Sequence, residues 1–147
     1  MEEEFSIEEL REMLPLFHVG FTDYTGIRAV SIEKGKCICE LEIEKHHLNP
    51  ISSIHGGVLY TMADVVGGFV CRSMGHKCLT TMNSSISFLN AGLNCKKIIG
   101  TGTAVKSGKS TATVEVDITD QDGKLLTKVI STYFILDPAQ VKFLHKD

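Results

Sequence analysis

Residues 55–72 read HGGVLYTMADVVGGFVCR, and the reading of this stretch decides the fold. Between Lys45 and Arg72 the chain carries one formal charge, Asp64, set in an apolar run of Val58, Leu59, Met62, Ala63, Val65, Val66, Phe69, Val70 and Cys71. A run apolar on every side predicts a helix buried all round, not an amphipathic surface helix. It falls short of the about 20 apolar residues of a membrane span. A carboxylate in such an element is costly unless something pairs with it or uses it.

The start of the helix is equally informative. Asn49-Pro50 marks a turn, residues 51–54 lead in, and His55-Gly56-Gly57 opens the helix. Two glycines there leave backbone N–H groups unobstructed at the positive end of the dipole, where donors suit a developing oxyanion. Gly57 and Asp64 are seven positions apart, sharing a face but separated by roughly 10 Å along the axis. Donor and carboxylate of one chain therefore do not reach one carbonyl. In a two-fold dimer with antiparallel helices, one chain's donor lies beside the other's Asp64, so the spacing points to a site shared between subunits.

At 147 residues the chain is expected to be a single domain, 1–147, long enough for its own core. A net charge of −3 gives no electrostatic case for nucleic acid. The six histidines are scattered and the five cysteines include no CxxC, so no metal is expected. Cys37 and Cys39 alternate with Ile38, as strand residues facing one side do. This reads as reduced thiols in a cytoplasmic protein. The first residues are acidic with no apolar segment behind them, so neither a signal peptide nor a membrane is expected.

In chain order, 5–17 reads as a helix. Ser6 and Glu9 match a capping box and Phe5 with Leu10 a hydrophobic staple, while Pro15 should kink or end it. It either flaps over a ligand tunnel or covers a sheet edge. Residues 20–26 read as a loop, 27–33 and 36–45 as strands, and Gly75 as the stop of the long helix. Gly67-Gly68 inside that helix is costly and implies close packing. Strands follow at 79–89, with Met82, Ser84, Ile86 and Phe88 on one side and Thr81, Asn83, Ser85 and Ser87 on the other, then at 97–106, 110–120 and 125–136. Asp122-Gly123 marks a hairpin. One apolar helix and long antiparallel strands predict an α+β fold in which a curved sheet wraps the helix.

The pattern N-x5-HGG-x6-D, with Thr-x4-Ile-x-Phe in the next strand, is similar to that of the hotdog-fold thioesterases. The resemblance covers residues 20–136 and lies in the branch of the PaaI-type phenylacetyl-CoA thioesterases and the mammalian mitochondrial-associated acyl-CoA thioesterases. It implies hydrolysis of an acyl-CoA thioester, with no cofactor beyond the CoA of the substrate, by a homodimer at minimum and a dimer of dimers as the expected assembly. By position, Asp64 resembles the catalytic carboxylate and Gly56 the backbone donor to the thioester oxygen. Gly57 keeps the backbone close, His55 and Asn49 hold that end of the helix and orient the reactants, and Thr81 positions the water. Lys106, Ser107, Gly108, Lys109, Ser110 and Thr111 match the hairpin that contacts CoA, and Asn90 opens a second contacting stretch. Asn90-Ala91 departs from the basic residue and proline that many relatives carry there.

Each residue also has a structural reading. Asp64 can be a buried group bonded to Tyr60 or Thr61, His55 a helix-start acceptor, Thr81 a strand residue, and Lys106 and Lys109 solvated charges. Two other functions share the fold: a non-catalytic acyl-CoA sensing module and a hotdog hydratase, although the Asp-x4-Asn-x2-His pattern of the latter is missing.

Overall fold

The computed structural model describes residues 6–142. The HGG-headed segment forms one helix, α3 (Gly56–Ser73), lying across one face of an antiparallel sheet. The strands are β1 (Arg28–Glu33), β2 (Lys36–Glu42), β3 (Leu79–Phe88), β4 (Lys97–Ser107), β5 (Thr111–Asp120) and β6 (Leu125–Ile135), in the order β1-β2-β4-β5-β6-β3. Bulges in β1, β3, β4 and, at Leu126, near the start of β6 bend the strands and add twist, so the sheet curls around the helix.

Alternation decides what faces the helix. Cys37, Cys39 and Leu41 of β2 and Ala112, Val114, Val116 and Ile118 of β5 are buried against it, as the period of two requires. From α3 come Leu59, Met62, Ala63, Val66, Phe69 and Val70. β4 contributes Ile98 and then, at its next two inward positions, glycines. A Cβ on Gly100 would stand 3.0 Å from Met62, and one on Gly102 would stand 2.5 Å from Val66. These two positions are the notch that lets the helix backbone approach the sheet.

Gly67 is as constrained as its interior position implies. A Cβ there would lie 2.0 Å from the Tyr133 hydroxyl of β6, and that hydroxyl donates a hydrogen bond to the Asp64 backbone carbonyl at 3.1 Å. Tyr133 is almost fully buried and thus pins α3 at the turn that carries the carboxylate.

The short helix α1 (Ile7–Phe17) has the expected capping box: the Ser6 hydroxyl accepts from Glu9 N–H at 3.2 Å and the Glu9 carboxylate from Ser6 N–H at 2.8 Å. These bonds hold the Glu9 carboxyl below its usual range. Phe5, the other half of the expected staple, lies outside the described residues. Arg11 donates to the Ile32 carbonyl of edge strand β1 at 3.0 Å, so α1 covers a sheet edge. Pro15 sits in the last turn, and the helix ends two residues later.

Four expectations are corrected. Residues 20–26 are not a loop: α2 (Gly20–Thr25) is a helix opened by Gly20 at φ 56° and closed by Gly26 at φ 87°. Its residues are poor helix formers, and the turn is closed locally by Gly26 N–H on the Asp23 carbonyl and the Thr25 hydroxyl on the Thr22 carbonyl. The strand expected to reach Lys45 stops at Glu42, because Lys45–His47 turns into a 3₁₀ segment tied by a 2.9 Å bond from Glu44 N–H to His47 Nδ1. Nor is α3 buried all round: Gly57 is exposed, and Val58, Tyr60, Thr61, Asp64 and Val65 are only half-buried, since the sheet of one chain covers only the face it touches. Finally, β3 does not alternate strictly. Met82 is an extra residue between the Thr81–Tyr133 and Asn83–Thr132 pairs, so Thr81 turns to the same side as Ser84 and Ile86.

The notch predicts a measurable cost. Gly102→Ala forces a methyl group against β-branched Val66 and should lower stability by about 1–3 kcal/mol, read from the urea midpoint. The exposed Gly123→Ala, at φ 82° in the β5–β6 hairpin with open space around it, separates backbone strain from this overpacking.

Candidate active site

The bulge at Met82 delivers Thr81 to the carboxylate. The Thr81 hydroxyl donates to Asp64 Oδ1 at 2.5 Å, while Oδ2 has no hydrogen-bond partner among the described residues. Asp64 is therefore not tied to Tyr60 or Thr61: Tyr60 pairs its hydroxyl with Ser84 at 3.3 Å, and Thr61 donates back to the Gly57 carbonyl at 2.7 Å. Spacing on one helix suggested those two; the neighbour that reaches Asp64 comes from the edge strand.

Asp64 and Thr81 open on a cleft of about 310 Å³ whose other walls include Phe17, Phe69, Arg72 and Tyr133. The end of α1 thus reaches the cleft that its N-terminal part does not touch. Phe17 meets Phe69 edge to face, with centroids 5.8 Å apart. Burial, and then the charge of Asp64, push the Tyr133 phenol far above its usual range, so it stays a neutral donor. Burial also pushes the Cys71 thiol up to about 12, which removes it as a nucleophile at neutral pH.

The other end of α3 is arranged for donation. His55 is the N-cap, and its Nδ1 accepts from the Gly57 N–H at 2.8 Å. The Gly56 N–H has no acceptor among the described residues. A Cβ at Gly56 would stand 3.2 Å from the Phe88 ring, so the position has little room for a side chain. The Asn49 side-chain oxygen accepts from Ile51 N–H at 3.1 Å and Ser53 N–H at 3.0 Å and shapes the lead-in loop, in which Ser52 is held at φ 60°.

Gly56 and Asp64 do not share a cleft within one chain. Gly56 lines a second one, about 330 Å³, with Phe88 and Asn90, whose side chain donates to the Leu125 carbonyl at 2.8 Å. The Lys106–Thr111 hairpin lies in neither: Gly108 closes its turn on the Thr111 carbonyl at 2.9 Å, and Ser107 pairs with His76, just past the far end of α3, at 2.7 Å. Tyr133 and Arg72, which also line the Asp64 cleft, were not singled out by sequence reasoning. For Tyr133 the available signal was Gly67, an interior helix glycine that needs a bulky partner.

Residues 52–127 match the Thioesterase superfamily, and the chain belongs to that family. The human protein acyl-coenzyme A thioesterase 13 is 30% identical over 105 residues, covering 69% of this chain and 74% of its own. A Streptococcus mutans protein solved bound to acetyl-CoA superposes with a TM-score of 0.71 at 32% identity, over 75% of this chain and 88% of that one. The PaaI protein of Escherichia coli shares the fold with a TM-score of 0.80 at 21% identity, over 87% of this chain and 93% of that one. The architecture is thus the hotdog fold, a curved antiparallel sheet around one long helix.

If His55 acts by capping, His55→Ala should cost about 0.5–2 kcal/mol in the urea midpoint, and His55→Ser should recover most of it, because serine is a strong N-cap.

Proposed function

We propose that this protein hydrolyses acyl-coenzyme A thioesters at a site built from two subunits. The observation that carries this reading is an unpartnered helix-start N–H at Gly56 and a carboxylate at Asp64 whose Oδ2 is left free, standing in separate clefts of one chain. The two are complementary halves of one acyl-transfer site, and a second copy with its α3 antiparallel brings them together. The family membership and the acyl-CoA thioesterase named among its relatives support the same chemistry.

The thioester carbonyl oxygen accepts a hydrogen bond from the Gly56 N–H, aided by the positive end of the α3 dipole. Asp64 of the second subunit takes a proton from the attacking water, or attacks the carbonyl carbon itself to give a mixed anhydride that water then opens. In either route the carbon–sulfur bond breaks, CoA leaves as the thiolate and is protonated from solvent, and the acid is released. The Thr81 hydroxyl holds Oδ1, so that Oδ2 points at the reaction.

Edge strand β3 exposes Asn83, Ser85 and Ser87 and is open to pairing with its copy in a partner, which extends the sheet. The Lys106–Thr111 hairpin lies at the far end of α3 from Gly56 within a chain, and the antiparallel partner brings its own hairpin to the Gly56 end. There it contacts the CoA moiety together with Asn90. Stacking of two such dimers gives the tetramer.

Free-thiol release from a panel of acyl-CoAs tests the activity. Asp64→Asn should keep the fold and lower kcat by about 10³; near-normal turnover in that variant removes the assignment. Gly56→Pro deletes the donor: proline is accepted at the first helical position, His55, at φ −62° and ψ 134°, already has the conformation proline demands of its predecessor, and the Phe88 ring that the added Cβ would approach to 3.2 Å is exposed and can turn aside. It should be inactive alone. Mixing it with Asp64→Asn should restore about a quarter of wild-type activity on random reassociation, because each mixed dimer carries one intact site. Two inactive variants that stay inactive when mixed would place both groups in one chain.

A further inference from the structure

The cleft that holds Asp64 also holds a cation that the thioester chemistry leaves unused. Arg72, in the last turn of α3, lies with its guanidinium 4.5 Å from the centroid of the Phe17 ring. Its Nε is buried without a hydrogen-bond partner, and no carboxylate forms an ion pair with it among the described residues. Burial drives its pKa down, and the charge of Asp64 in the same cleft pushes the other way without an ion pair forming. Arginine carries five donors in a rigid fork that matches a carboxylate, and its buried Nε left without an acceptor is costly while the rest of the half-buried fork faces the cleft. Stacking on Phe17 offsets part of that cost but leaves the Nε without an acceptor.

The interior glycine pair gains a second meaning here. Gly67 makes room for Tyr133, whereas a Cβ on Gly68 would stand 3.1 Å from Arg72 Nη1. The arginine therefore folds back along the helix over a position that has no side chain, and its fork comes to the level of Gly68. That is four residues from Asp64, about 6 Å along the axis. Carboxylate and guanidinium line the same cleft one helical turn apart.

We propose that Arg72 binds a carboxylate at the distal end of a short acyl group, so that the preferred substrates are CoA monothioesters of short dicarboxylic acids. The proposal rests on the thioesterase reading, since it treats this cleft as the acyl end of that site. The separation suits an acid group a few atoms from the thioester carbon. The carbonyl lies at Asp64, the intervening carbons pass Phe69, and the terminal oxygens meet the fork bidentately. At about 310 Å³ the cleft suits an acyl group of this size.

The test compares glutaryl-CoA with hexanoyl-CoA in the full-length wild type and in Arg72→Met, which keeps an unbranched side chain over Phe17. Glutaryl-CoA should be favoured in kcat/KM by at least about tenfold in the wild type. Arg72→Met should lower its kcat/KM by about 100-fold and leave hexanoyl-CoA within about threefold, because a hydrogen-bonded charge pair has been lost. Arg72→Lys should recover only part, since an ammonium cannot form the bidentate pair. Equal loss of both substrates in Arg72→Met, or no preference in the wild type, overturns the proposal and leaves the thioesterase reading intact. Absence of hydrolysis with every thioester overturns the thioesterase reading instead. The arginine site is then judged by free glutarate, which should raise the wild-type Tm more than hexanoate does and have no such effect on Arg72→Met; equal shifts in the two proteins overturn it.

Discussion

A carboxylate kept on a helix that packs into a sheet has to be reached by a donor from that sheet. In this protein one hydrogen bond does so, from the Thr81 hydroxyl to Asp64 Oδ1 at 2.5 Å. The bond exists because β3 carries one residue too many at Met82. With regular alternation, Thr81 and Ser84 would face opposite sides; with the bulge, both face α3. Ser84 then continues a hydroxyl chain to Tyr60 and, at 2.7 Å, to Ser131 of β6. The polar stripe of α3 is thus satisfied by the edge strand, while the rest of the helix is satisfied by apolar contact.

Placement of that stripe depends on glycine. Gly100 and Gly102 let α3 sink into β4, and Gly67 admits the Tyr133 ring whose hydroxyl holds the Asp64 carbonyl. Each costs helix or strand propensity on the order of 0.5–1 kcal/mol, and each is recovered through packing that a larger residue would prevent. Gly68 differs in that it admits the Arg72 side chain, so the four glycines divide between holding the helix and shaping the cleft. At the helix start the division recurs: His55 occupies the Gly57 N–H and leaves the Gly56 N–H open.

Much of this was legible in the residues. The apolar run around Asp64 specified a packed helix, the alternation of β2 and β5 assigned their buried faces, and Ser6 with Glu9 marked the first cap. Each signal is local: a repeat of 3.6 or 2, or a cap completed within one turn. The bulge at Met82 was not legible, because Thr-Met-Asn alternates as well as any strand and only the pairing with β6 shows the extra residue. The helix α2 was not legible either, since its residues disfavour helix and it is framed by left-handed glycines and local bonds that no periodic pattern announces.

The sequence by itself determined that a lone acid would sit on an apolar helix opened by glycines, because composition and spacing along one helix are properties of adjacent residues. It also implied that Gly56 and Asp64 are too far apart to act within one chain, since helix rise alone sets that distance. Only the tertiary structure decided that Thr81, not Tyr60 or Thr61, holds the acid, that Tyr133 anchors its backbone, and that Arg72 turns back into the same cleft. Those contacts join residues from 8 to 69 positions apart in the chain or depend on the bulge. They are set by how the sheet curls around the helix, which no stretch of the chain records.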